Sequence, residues 1–175
     1  PSEEFRAEAL ITDLSVHEEA ARDPVSWWER QARELDWFEP WTSALDDTDA
    51  PFYRWFDGGK LNVSHNCLDR HVAAGLGDRV ALHWHGEEGE VRAITYAQLL
   101  ADVQRCANAL KARGVGPGDV VGIYLPMIPE VVVAMLACAR IGAPHNVVFG
   151  GFSPESVKER MEVSGAKALI TVDGS

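Results

Sequence analysis

The chain has 175 residues, 46% of them hydrophobic and 25% charged, a length and composition typical of a folded globular protein with a hydrophobic core. Its 16 basic and 27 acidic side chains give a formal net charge of −11, which disfavours nucleic acid or an anionic membrane as the main partner. No apolar run reaches the roughly 18 residues of a membrane-spanning helix. The first ten residues lack the basic and apolar stretches of a secretory signal.

Residues 1–70 are rich in tryptophan and acidic side chains and carry few strand signals. The aromatic side chains of such a segment must be buried, so we expect a mostly helical or irregular N-terminal segment that packs onto a larger body. Residues 42–62 hold an acidic cluster, a proline and the Gly58-Gly59 turn, and they are predicted to be irregular. The tryptophans are interpreted as packing anchors rather than as ligand-stacking groups.

A regular pattern begins near residue 78. Residues 79–96 read as two strands around the turn Glu87-Glu88-Gly89, which predicts a β-hairpin. Thr95, with Gln98 three positions later, forms a capping box that opens an amphipathic helix. Gly114 is predicted to end that helix as a left-handed cap.

From Val120 onward the chain alternates between strands and helices. Val120–Pro126 is a continuous apolar strand, as expected when both faces of a parallel sheet are covered. The next helix begins at Pro129 and is apolar nearly all round, which predicts deep burial. A strand at 146–149, a helix opened by Ser153-Pro154-Glu155 and a strand at 168–172 follow. This order predicts an α/β fold with a doubly wound, largely parallel sheet and right-handed crossovers.

The last predicted strand is followed by Asp173-Gly174-Ser175. Ligands of open α/β sheets bind beyond the carboxyl ends of the strands, and a sheet that stopped at this strand would keep an open edge. We therefore expect the sequence to be the front part of a larger protein.

Several candidate motifs are better explained as structure than as chemistry. Residues 114–119 resemble a dinucleotide loop but precede a strand instead of following one, so a plain turn is predicted. No Walker, GxSxG or HExxH motif occurs, and no nucleophile stands out with a base beside it. The residues themselves therefore indicate no catalytic group.

Histidine and cysteine clusters offer too few ligands for a metal. Zinc needs about four convergent sulfur or imidazole ligands. One cluster consists of His65, Cys67 and His71, and the other of His83 and His85 on one strand face, so no metal site is predicted. The cysteines, an odd number without a Cys-x-x-Cys pair, are typical of free thiols in a reducing cytoplasm; they are Cys67, Cys106 and Cys138.

The best candidate for ligand binding is the stretch around Phe149, Gly150 and Gly151. The two glycines would let the backbone approach a ligand closely, and the helix that opens at Pro154 offers free N–H groups. The stretch lacks the glycine spacing of known phosphate loops. From the residues alone, ligand contact and a plain strand-to-helix turn both remain open.

Four stretches closely resemble the N-terminal part of the AMP-forming acetyl-coenzyme A synthetase family (acetate–CoA ligases). They are residues 52–71, 89–100, 125–160 and 168–174. The resemblance implies an N-terminal segment at 1–70 and the start of the adenylation domain at 71–175. It implies a cytoplasmic ligase that uses ATP, Mg²⁺ and coenzyme A to convert acetate to acetyl-CoA through acetyl-adenylate, with small molecules as partners.

The resemblance also assigns site residues. Phe149, Gly150 and Gly151 match the loop that lines the tunnel for the pantetheine arm of coenzyme A. The family's catalytic residues are expected beyond residue 175, so these residues alone are expected to be inactive. Two alternatives remain: a propionate- or acetoacetate-selective relative, and a non-catalytic nucleotide-binding or structural α/β module.

Overall fold

A computed structural model describes residues 1–173 and divides the chain into two compact units, Pro1–Leu61 and Asn62–Ser175. Gly174 and Ser175, which the sequence places after the last strand, lie outside the described residues.

The first unit begins with three helices and ends with a hairpin. The helices are α1 (Glu3–Glu8), α2 (Ser15–Arg22) and α3 (Pro24–Ala32), and the strands are β1 (Ser43–Asp46) and β2 (Arg54–Asp57). The strands pair antiparallel, so the prediction that residues 42–62 are irregular is wrong. Each strand has only four residues, and the loop between them holds the acids and the proline that dominate the local pattern.

Aromatic side chains hold the first unit together. The Trp37 ring lies 4.9 Å from that of Trp41, and Phe56 contacts both at 5.7 and 5.3 Å between ring centroids. The Trp37 indole N–H donates a 2.7 Å hydrogen bond to the carbonyl oxygen of Ala32 at the end of α3. These tryptophans act as packing anchors, as predicted.

The second unit opens with two short π-helical segments, His65–Asp69 and Val72–Leu76, followed by a hairpin. The hairpin strands are β3 (Val80–His85) and β4 (Val91–Thr95), which pair antiparallel as predicted. Helix α4 (Tyr96–Ala112) starts at the Thr95–Gln98 capping box. It ends before Gly114, whose φ of 82° confirms the predicted left-handed turn.

A three-stranded parallel sheet forms the rest of the second unit. Its elements in chain order are β5 (Val121–Leu125), α5 (Pro129–Arg140), β6 (His145–Phe149), α6 (Pro154–Ser164) and β7 (Ala168–Thr171). The spatial order is β6-β5-β7, with β5 parallel to both neighbours. This arrangement confirms the predicted α/β fold.

Helices α5 and α6 cover opposite faces of β5, as a doubly wound sheet requires. Ile123 packs with Ala134 of α5. Gly122, the residue before Ile123, faces the other side of the sheet. A Cβ on Gly122 would lie 2.2 Å from the Met161 sulfur of α6. Helix α6 therefore approaches β5 closely because Gly122 has no side chain.

Helix α5 is less deeply buried than its composition predicts. Of its twelve residues, only Pro129, Ala134, Ala137 and Cys138 are fully buried. The helix packs on β5 on one side and on α4 on another, so the remaining apolar side chains are partly exposed. Within residues 1–173, no helix is both long and apolar enough to cross a membrane.

Candidate functional site

A cavity of about 480 Å³ lies at the carboxyl ends of the three parallel strands. We call it the strand-end cavity. Its lining comes from the residues that follow or end β5, β6 and β7, together with the tip of the β3–β4 hairpin: Glu87, Tyr124, Leu125, Pro126, Met127, Phe149, Gly150, Gly151, Thr171, Val172 and Asp173. The three site residues predicted from the sequence, Phe149, Gly150 and Gly151, therefore face one cavity.

The position of the cavity follows from the strand order. The chain moves outward from β5 to β6 and then returns past β5 to β7, so the strand order reverses at β5. The loops after β5 and β6 lead to helices on opposite faces and leave a crevice between them. Ligands of open α/β sheets bind in such crevices.

One wall of the strand-end cavity is held by Tyr124 of β5. Its hydroxyl lies 3.0 Å from the carbonyl oxygens of both Gly150 and Phe152, and its single proton is shared between these two acceptors. The Phe152 N–H also donates to the Phe149 carbonyl oxygen at 3.0 Å, which closes a turn. The Gly150–Phe152 loop is thus fixed to the central strand.

A second part of the wall is held by Trp84 of β3. Its indole N–H donates a 2.7 Å hydrogen bond to the carbonyl oxygen of Met127, in the loop after β5. The Arg92 guanidinium lies 5.7 Å from the Trp84 ring and pairs with Glu130 of α5 at 3.2 Å. The β3–β4 hairpin is therefore tied to the start of α5 beside the cavity.

The two glycines in the loop differ in what surrounds them. A Cβ on Gly150 would lie 3.3 Å from the Leu125 carbonyl oxygen and 3.5 Å from the Pro126 Cα, so backbone atoms exclude a side chain there. A Cβ on Gly151 would meet only the Phe149 ring, at 2.8 Å. Since Phe149 is 64% exposed, its ring can move. Backbone packing thus explains Gly150, whereas a side chain at Gly151 would press on the Phe149 ring.

Helix α6 begins directly after this loop, as predicted. Ser153 is its N-cap, and the Ser153 hydroxyl oxygen accepts a 3.3 Å hydrogen bond from the Ser156 N–H. Pro154 occupies the first turn. The cap fixes the direction in which the chain leaves the Gly150–Phe152 loop.

The charged side chains among the described lining residues are Glu87 and Asp173, both acidic. Phosphate binding relies on cations and on convergent N–H donors. The described part of the cavity therefore suits an uncharged ligand better than a phosphate group.

Other residues considered from the sequence lie outside the cavity. His83 and His85 are exposed on β3, Cys67 is exposed, and within residues 1–173 no group of three or more His, Cys, Asp or Glu side chains is placed to hold a metal ion. The predicted turn at 114–119 is confirmed: the Gly116 N–H donates to the Asp119 carboxylate at 2.8 Å. That carboxylate also pairs with Lys167 at 2.8 Å, which lowers its pKa.

The sequence does not predict a role for Tyr124 or Trp84, the two side chains that hold the cavity walls. Tyr124 had a usable signal, because it is the only residue with a polar side chain in the apolar strand Val121–Leu125. A tyrosine hydroxyl in such a strand needs a hydrogen-bond partner. Trp84 had no comparable signal among the strand residues around it.

Comparison with known proteins places this fold in a family. The chain belongs to the AMP-binding enzyme family, whose model matches residues 69–175. Residues 14–67 match a second model, described as the acetyl-coenzyme A synthetase N-terminus. The prediction of a domain boundary at residue 70 stays a prediction.

Three similar relatives are each named acetyl-coenzyme A synthetase. The chain is 60% identical over 170 residues to the one from Burkholderia thailandensis, 55% over 174 to that from Gemmatimonas aurantiaca and 53% over 175 to that from Mycolicibacterium smegmatis. The matches cover 94%, 99% and 99% of this chain but 26%, 26% and 18% of the relatives. The chain thus spans about a quarter or less of the curated relatives it matches.

Proposed function

We propose that the protein to which this chain belongs is an AMP-forming acetate–CoA ligase. The observation that carries the proposal is 53–60% identity, over 94–99% of the chain, to proteins named acetyl-coenzyme A synthetase. In the proposed reaction, the acetate carboxylate attacks the α-phosphate of ATP and forms acetyl-adenylate and pyrophosphate. The thiolate of coenzyme A then attacks the acyl carbon, and AMP leaves.

The contribution of the described residues is to bind and orient, and none of them is assigned a catalytic role. We propose that the strand-end cavity receives the pantetheine arm of coenzyme A, with Phe149, Gly150 and Gly151 as part of its wall. Two features support this: the described lining carries no cation, as suits an uncharged arm, and a side chain at Gly151 would press on the Phe149 ring of the cavity lining. Magnesium would enter with ATP, and no step is assigned to a metal held by residues 1–173.

The two half-reactions test the proposal separately. The protein that carries this sequence, at the length of its curated relatives, is assayed for ATP–pyrophosphate exchange and for thioester formation with acetate, propionate and acetoacetate. We expect acetate to support both reactions best. Preference for another acid would contradict acetate as the substrate, and exchange with none of them would contradict ligase activity.

The proposed role of Gly151 predicts a selective loss. Leucine at this position must displace the Phe149 ring, which lines the cavity, because even a Cβ would lie 2.8 Å from that ring. In Gly151→Leu, acetyl-CoA formation is expected to fall at least about tenfold while pyrophosphate exchange stays within about twofold.

The matched control for this substitution is Gly116→Leu. A Cβ on Gly116 would meet nothing closer than the Asp119 carboxylate at 3.8 Å, and the residue lies in the turn before β5. Gly116→Leu should retain the rates of both half-reactions. Equal loss of both half-reactions in Gly151→Leu would contradict a role in the thioester step.

A further inference from the structure

The Gly150–Phe152 loop has few internal restraints apart from Tyr124. Gly150, Gly151 and Phe152 are all exposed, and Phe152 is 41% exposed although the Arg160 guanidinium lies 4.8 Å from its ring. An exposed loop of this kind moves unless hydrogen bonds fix it to a rigid element. The Tyr124 hydroxyl provides one such bond, shared between the carbonyl oxygens of Gly150 and Phe152.

The strand that carries Tyr124 is the most constrained in the sheet. In register, Tyr124 lies beside Val148 of β6 and Thr171 of β7, so strands pair with its backbone on both sides. A tyrosine side chain has only two rotatable angles before its ring, and fixing it costs little conformational entropy. The hydroxyl is therefore placed precisely enough to define where the loop lies.

We propose that Tyr124 is a positioning residue for the thioester-forming step. By sharing its proton between the Gly150 and Phe152 carbonyl oxygens, it sets the width of the strand-end cavity on the side that faces the pantetheine arm. This inference rests on the proposed function. Tyr124 does not touch the reacting atoms in this account and acts through the loop it holds.

The removal of the hydroxyl has a defined structural cost. In Tyr124→Phe the ring remains in place, while the two exposed carbonyl groups lose the one donor that they share and turn to water. The fold is retained, since exposed carbonyl groups accept from solvent at little cost. The loop gains freedom, and the cavity wall is no longer held at one distance from β5.

The experiment compares Tyr124→Phe with Tyr96→Phe, in the full-length protein. Tyr96 lies at the start of α4, outside the cavity lining, and its ring contacts His71 at 5.2 Å. In Tyr124→Phe, the rate of hydrogen–deuterium exchange at residues 150–153 is expected to rise about three- to tenfold, because one hydrogen bond is lost. In Tyr96→Phe this rate should stay unchanged. The KM for coenzyme A should rise by a similar factor, with pyrophosphate exchange within about twofold.

The outcomes separate this inference from the proposed function. If Gly151→Leu loses thioester formation while Tyr124→Phe changes neither the KM for coenzyme A nor loop exchange, the positioning role is overturned and the proposed function stands. Equal loss of both half-reactions in Tyr124→Phe would show a general structural role and would also overturn it. If the unaltered protein forms no thioester, the proposed function and this inference fail together.

Discussion

At the scale of single residues, the ion pair between Asp69 and Arg140 stabilises the second unit. The guanidinium donates two hydrogen bonds to the carboxylate, at 2.7 and 2.8 Å, and both side chains are about three-quarters buried. The hydrogen bonds from Arg140 lower the pKa of Asp69. Nearby, the Asn62 amide donates to the Ala139 carbonyl oxygen at 2.9 Å. The C-terminus of α5 is thus fixed to the chain that precedes α4.

This pair predicts a pH-dependent effect of Asp69→Asn. Since the pKa of Asp69 is lower in the folded than in the unfolded protein, its stabilisation is complete above the unfolded value of about 3.9 and is lost as pH falls through the folded value. At pH 7 the substitution should reduce the free energy of unfolding by about 1–2 kcal/mol, and near pH 2 the difference should shrink. Urea unfolding at both pH values measures it.

Asp102→Asn is the matched control for Asp69→Asn. Asp102 also pairs with an arginine, Arg105, but that pair is far more exposed, at 38% and 74% for the two side chains. Exposed pairs contribute little. A loss in Asp69→Asn no larger than in Asp102→Asn would contradict the role given to the buried pair.

At the scale of elements, local signals mark the helix ends. Thr95 and Gln98 cap α4 reciprocally: the Thr95 hydroxyl oxygen accepts from the Gln98 N–H at 3.2 Å, and the Gln98 amide oxygen accepts from the Thr95 N–H at 2.9 Å. Gly165, with a φ of 62°, ends α6 in the left-handed conformation that glycine adopts without strain. Both features are visible in the sequence because the residues involved are close along the chain.

The capping box predicts a cost for Thr95→Ala. Loss of the hydroxyl leaves the Gln98 N–H without its acceptor, and the free energy of unfolding should fall by about 1 kcal/mol. Thr95→Ser keeps the hydroxyl and should recover most of that loss. Urea unfolding followed by circular dichroism measures both variants, and equal losses in the two would contradict a capping role.

The elements that the sequence did not predict depend on distant partners. Strands β1 and β2 are too short to show a period, and they are defined by cross-strand pairs such as Leu45 opposite Trp55. The π-helical segment at 65–69 packs into the core of the second unit through Leu68, which is 1% exposed, and the segment at 72–76 follows it. In both cases tertiary contacts decide the structure, and these contacts leave no local pattern.

At the scale of the whole molecule, the three free thiols differ in how deeply they are buried. Cys67 is exposed, Cys106 is half-buried and Cys138 is completely buried. Burial raises the pKa of Cys106, and burial with the neighbouring Cys106 thiol raises the pKa of Cys138 to about 11. Since the thiolate is the reactive form, both effects slow the reaction of Cys138.

Alkylation with iodoacetamide at pH 8 should therefore follow the order Cys67, Cys106, Cys138. Cys138 should react at least about a thousandfold more slowly than Cys67, because it becomes accessible only when the protein opens. Mass spectrometry of the labelled peptides measures the three rates, and in denaturing urea they should converge. Rapid native labelling of Cys138 would contradict the core described for α5.

How much of the candidate site could be predicted depends on how far apart its residues lie along the chain. The Phe149–Gly151 stretch is contiguous, so its two glycines and its resemblance to a family make it a candidate from the sequence, and the structure brings it to the strand ends. The side chains that hold the walls act across long separations: Tyr124 bonds to residues 26 and 28 positions away, and Trp84 to one 43 positions away. Such contacts follow from the strand order, which a single sequence indicates only in outline.

The position of Trp84 gives the molecule a built-in optical probe. Five of the six tryptophans lie at or before residue 55, and Trp84 alone belongs to the second unit. Its indole N–H is bonded to Met127, one of the residues that line the strand-end cavity. The difference between the emission spectra of the unaltered protein and of Trp84→Phe isolates the emission of Trp84, which is a spectroscopic reading of that one wall.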